Sequence, residues 1–222
     1  MHLIKIYNIM SIRKREIIMK ANNYFNELPE GYICVKTIDA KEDKKFMVIM
    51  TIVNLLLLIS IFALGLLILL KSHSGEDVNI NPFVGLIACA AMFVYIILHE
   101  LTHGLFYKIF THEKLTFGLT LLVAFCGVPN LYVNRKTSLV TTLAPFVIFN
   151  IVFILLMIFI PDLFTKIVIL FMFAMHFCGC VGDLWVAYYL IFKHKDKKML
   201  VNDTGPKQTF YIEGNSDGNQ VS

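Results

Sequence analysis

Residues 91–110 read AMFVYIILHELTHGLFYKIF. The stretch is apolar enough for a membrane segment, yet its second half carries His99, Glu100 and His103. An ionisable group inside a bilayer costs about 2.5 kcal/mol or more unless it finds a partner. Three such groups within five residues need a reason, and that reason governs how the rest of the chain is read.

Working outward, the apolar character continues on both sides. The chain has 222 residues, 57% of them hydrophobic, and a mean hydropathy of +0.69, well above a soluble domain. Spans long enough to cross a bilayer are predicted at about 46–70, 83–110, 139–160 and 164–192. Residues 111–138 differ: their apolar runs are short and broken by Gly118, Gly127, Pro129 and Asn130. A strand pair or re-entrant hairpin suits them better than a full span. The expected fold is therefore an all-α polytopic membrane protein, with four transmembrane helices and a small membrane-associated hairpin between helices 2 and 3. A polar segment (1–45, with a turn at LPEGY) precedes the four-span domain (46–192), and a polar tail (193–222) follows it. No internal repeat is visible.

Charge sets the orientation. Of the 20 Lys and Arg residues, only Lys71 and Lys166 fall on one side of these spans. By the positive-inside rule, both termini and the 111–138 segment are expected in the cytoplasm of a multi-pass protein of the cell membrane. No basic, aromatic-interleaved soluble segment is present, so the net charge of +4 does not point to nucleic acid. The five cysteines are irregularly spaced and odd in number, unlike a disulfide framework. Cys178 and Cys180 form C-x-C and read as small, polarisable core residues. At the N-terminus no signal peptide is recognisable. MKANNYFNELPEGY, from Met19, resembles a natural start.

On a helix, His99 and His103 project from one face and can share a metal ion, while Glu100 beside them can reach a water on that ion. In the H-E-x-x-H pattern of zincins the histidines hold zinc and the glutamate accepts a proton. A hydrogen-bonded histidine pair with a partnered glutamate is the plainer alternative. Catalytic zinc usually takes a third protein ligand. Counted from the cytoplasmic ends of their spans, Asp183 lies at the depth of His99 and His103, which makes it the expected third ligand. His176 lies two turns before Asp183, about 10 Å deeper, and reads as a packing residue or a support to the site. Asn150 needs a polar partner in hydrocarbon, and His112 sits at the interface.

With these residues in place the chain resembles a family of bacterial membrane zincin peptidases, related in layout to site-2 proteases. The similarity rests on HELTHG (His99–Gly104), FG (Phe117, Gly118), LAP (Leu143–Pro145), GD (Gly182, Asp183) and NDTGPKQTFYI. The resemblance implies zinc on His99, His103 and Asp183, with Glu100 as general base. It also implies that residues 115–135 form a hairpin able to pair with an extended substrate. Unlike site-2 proteases, the chain has no N-x-x-P-G, L-D-G or N-P-D-G. The function expected is a zinc-dependent intramembrane endopeptidase acting near the cytoplasmic face on membrane-protein or peptide substrates in the lipid bilayer. A metal-handling transporter or sensor, and a protease-like scaffold without activity, are the alternatives. Oligomeric state is left open.

Overall fold

A computed structural model describes residues 23–39, 42–119 and 124–214; the reading of residues 1–18 lies outside them. The long helices start where an Asx side chain can satisfy a free first-turn amide. Helix α1 (Lys44–Ser72) begins with Asp43 accepting from the Phe46 amide. Helix α2 (Pro82–Thr111) follows Asn81, which accepts from Phe83, and its Pro82 suits the first turn. Helix α3 (Arg135–Phe159) starts at Asn134, bonded to Thr137, and α4 (Leu163–Gly179) at Asp162, bonded to Thr165. A last helix, α5 (Val181–Phe192), continues from α4 after a bend at Cys180.

The helices α1, α2 and α3 are each long and apolar enough to cross a membrane. The α4–α5 pair, bent by 43°, makes a fourth if the two helices count as one broken span rather than a re-entrant loop. Large apolar side chains of α1 and α2, such as Leu64, Leu67, Phe83 and Phe93, stay exposed. The span expected over 164–192 is this bent pair rather than one helix.

The all-α expectation is also corrected, because two antiparallel sheets accompany the helices. The smaller joins β3 (Thr116–Leu119) to β4 (Ala124–Gly127) and is the hairpin anticipated between the second and third spans. The larger draws on β1 (Tyr24–Phe25), β2 (Tyr32–Asp39), β5 (Tyr132–Asn134), β6 (Met199–Asp203) and β7 (Lys207–Glu213). Its order is β1-β5-β6-β7-β2. Its strands are short and pair segments distant in sequence: Tyr32 faces Glu213 and Asp39 faces Lys207 across an irregularity between Cys34 and Lys36. Reading the flanking segments by their charge hid them, since lysines lie in and around the strands (Lys36 in β2, Lys207 in β7) while Val201, Phe210 and Ile212 are buried.

This sheet closes against one end of the helices. Tyr107 of α2 and Tyr189 and Leu190 of α5 pack with Val133, Met199, Val201 and Phe210 into one core. Arg135 ties the layers together. Its guanidinium donates to the carbonyls of Leu190, Lys193, His194 and Lys197, which include those left free at the end of α5.

Candidate metal centre

Tyr95, His99, His103, Tyr107 and Thr111 recur at intervals of four along α2, which stacks them on one helix face. That face turns inward: His99, Tyr107 and Thr111 are buried. Opposite it, the bend at Cys180 brings Asp183 into the first turn of α5. Asp183 Oδ2 lies 3.3 Å from His99 Nε2 and 3.5 Å from His103 Nε2. The Glu100 carboxylate stands beside them, with donor atoms of His99, Glu100 and His103 within 4.8 Å of one another. Ligands bound to one zinc at about 2.0–2.1 Å in tetrahedral geometry sit roughly 3.3–3.4 Å apart. The two separations from Asp183 Oδ2 fit that ion. The group of donors within 4.8 Å of one another includes Glu100 rather than Asp183, and Asp183 is preferred as ligand because its one oxygen faces both imidazoles.

Each histidine is held by its other nitrogen. His103 Nδ1 lies 2.9 Å from the carbonyl oxygen of Thr141. A carbonyl can only accept, so Nδ1 carries the proton and Nε2 presents a lone pair toward Asp183. The carbonyl is free because residue 145, four positions on, is a proline inside α3 and has no amide to offer. His99 Nδ1 lies 3.1 Å from the Tyr95 hydroxyl.

The hairpin forms the next wall. Gly104 lets it approach α2 closely: a Cβ there would stand 2.6 Å from the Phe117 ring and 3.2 Å from Cys126 Sγ. The Cys126 backbone amide bonds to Glu100. Burial, followed by the charges of Asp203 and Glu100, pushes the Cys126 thiol up to about 12, so it stays protonated.

Two spaces meet at Glu100. One is a cavity of about 110 Å³ lined by Glu100, His103 and Asp183 and, from the sheet side, by Asp203, Pro206 and Gln208. The other is an apolar groove of about 290 Å³ between α2 and the hairpin, walled by Ile96, Ile97, Leu101, Phe117 and Phe125. At the cavity's far side the buried Asp203 carboxylate accepts from Tyr107 Oη (2.7 Å), the Gly205 amide (2.8 Å) and Gln208 Nε2 (3.1 Å). Burial nonetheless raises its carboxyl to about 6.

Of the remaining candidates, His176 is not remote. The bend leaves it behind His99, and donor atoms of His99, His176 and Cys180 fall within 4.8 Å of one another. Asn150 donates to the Phe146 carbonyl of its own helix, and His112 caps the C-terminus of α2 in the left-handed region; neither lines the cavity. Sequence reasoning missed Tyr95, Thr141 and Asp203. A tyrosine four residues before His99 and a threonine four before Pro145 were legible signals for the first two.

No curated protein and no solved structure matches the chain. Residues 92–198 match the model of a family described as "Putative zincin peptidase", a match that speaks to zincins and is silent on site-2 proteases. The matched stretch contains His99, Glu100, His103 and Asp183 together with the elements that orient them. Over residues 92–198, just under half of its length, the chain is accordingly similar to a family of zincin peptidases.

Proposed function

We propose that the protein is a zinc-dependent intramembrane endopeptidase that cleaves extended segments of membrane-protein or peptide substrates near the cytoplasmic face. The observation that carries this reading is the convergence of His99 Nε2, His103 Nε2 and Asp183 Oδ2 beside Glu100, on helices long and apolar enough to lie in a membrane. His99, His103 and Asp183 would hold the ion. Zinc there supplies a Lewis acid that makes water nucleophilic near neutral pH and polarises a carbonyl. Glu100 accepts the proton of the attacking water and returns it to the leaving amine. The Cys126 amide keeps its carboxylate turned to the site.

The apolar groove beside Glu100 suits an apolar substrate side chain. Strand β3 pairs only with β4 among the described residues, so its other edge can receive an unwound substrate strand. Unwinding is needed because a helix keeps its carbonyls in its own hydrogen bonds. The charge distribution supports cytoplasmic termini, and the gathering of β1, β2, β6 and β7 into one sheet supports a common side for the segments that carry them.

Glu100→Gln tests the reading. The amide keeps the shape but takes no proton, so purified protein should retain one zinc per chain while cleavage of a membrane peptide falls by about 10³-fold or more. Undiminished cleavage would remove Glu100 as the base. Wild-type protein that binds zinc but cleaves nothing would make the chain a scaffold.

A further inference from the structure

Resting on that reading, we infer that Tyr95 and His176 are positioning residues, a two-step relay that fixes which nitrogen of His99 is free to bind the metal. His99 differs from His103 in one respect. The partner of His103 Nδ1 is a carbonyl, which can only accept, whereas the partner of His99 Nδ1 is a hydroxyl, which can donate or accept. Taken alone, Tyr95 could donate to Nδ1 and leave the proton on Nε2, the nitrogen that faces Asp183. The ligand would then be in the wrong tautomer.

His176 removes that ambiguity. Its Nδ1 lies 2.6 Å from the Tyr95 oxygen, while His99 Nδ1 lies 3.1 Å from it. A hydroxyl has one proton and donates once. The shorter separation is that of an O–H donor and the longer that of an N–H donor. Tyr95 therefore donates to His176 and accepts from His99, and His99 Nε2 is left bare toward Asp183. With that His176 nitrogen an acceptor, the Cys180 thiol, 3.6 Å from it and also in contact with Tyr95, can add a second, weaker donor. His176 is fully buried, and its Nε2 makes no hydrogen bond of good geometry among the described residues, the Phe146 carbonyl being its polar neighbour. Rings of Phe146, Phe153 and Phe173 surround it. A buried histidine that places its Nδ1 2.6 Å from a tyrosine hydroxyl which also touches His99 is better explained by the ligand beyond that tyrosine than by packing.

The test is zinc affinity of the full-length, detergent-purified chain, measured by competition with a chelator, with the visible spectrum of the cobalt-loaded protein as a second readout. Tyr95→Phe, nearly isosteric, should weaken zinc about 10- to 100-fold and perturb the cobalt bands. His176→Leu should do the same, and His176→Gln, which can again offer Tyr95 an acceptor, should recover most of the loss. The Tyr95→Phe/His176→Leu double variant should bind no more weakly than Tyr95→Phe alone, since His176 acts only through that hydroxyl. Tyr95→Phe within about two-fold of wild type overturns the relay, provided His99→Ala loses zinc. If His99→Ala keeps zinc as well, the metal-centre reading fails and takes the relay with it. Two metal ions per wild-type chain, reduced to one by Cys180→Ser, also overturn it, because His99, His176 and Cys180 would then hold an ion directly.

Discussion

At Asp183 a single carboxylate oxygen faces two imidazoles, so one truncation removes a shared partner. Asp183→Ala should lower zinc affinity by about an order of magnitude or more and abolish cleavage while the protein still inserts. Metal content after dialysis against a weak chelator is the measurement, and unchanged zinc would place the third ligand elsewhere. Asp203 gives a pH signature instead. Its carboxyl is raised to about 6 by burial, so the folded state favours the protonated form. That contribution is complete below the ordinary carboxylate pKa near 4 and is lost as pH rises through about 6. Asp203→Asn, which never ionises, should therefore gain stability relative to wild type between pH 4 and 7, by up to about 3 kcal/mol. Thermal unfolding of both proteins in chelator would show it, and a pH-independent difference would refute it. Of these residues, HELTH was legible because charge in hydrocarbon demands a partner, and Asp183 by its depth. Asp203 was not, since nothing in a polar tail marks a carboxylate that folding will bury.

Among the elements, α3 shows how a helix defect becomes a functional part. Pro145→Ala should restore an amide that competes for the Thr141 carbonyl and draws it back into the helix ladder. His103 then loses its fixed tautomer, and zinc affinity should fall about 10-fold or more, although the helix itself becomes more regular. Unchanged zinc binding in that variant would mean that His103 is held without Thr141. The spans and their Asx starts could be read from the sequence, because apolar runs and caps are local signals. The bend at Cys180 was not read: no proline stands there, and its signal is the glycines on either side, Gly179 and Gly182. Nor was the large sheet, whose strands have two to eight residues and whose partners are set by tertiary contact rather than by neighbours.

For the whole molecule, the side assignments can be checked by labelling. In a background with Cys34 and Cys89 replaced by serine, a membrane-impermeant thiol reagent on intact cells should modify Glu76→Cys and spare Lys36→Cys. The opposite pattern would reverse the orientation. The sheet adds a constraint of timing. Its central strand β6 lies between β5 and β7, and β2 pairs only with β7 among the described residues. During synthesis, then, β2 leaves the ribosome with no partner and waits until residues 207–213 have been made. The cavity wall supplied by Asp203, Pro206 and Gln208 arrives equally late. His99, Glu100 and His103 are made well before it, so the nascent chain carries the candidate ligands without the wall that completes their cavity.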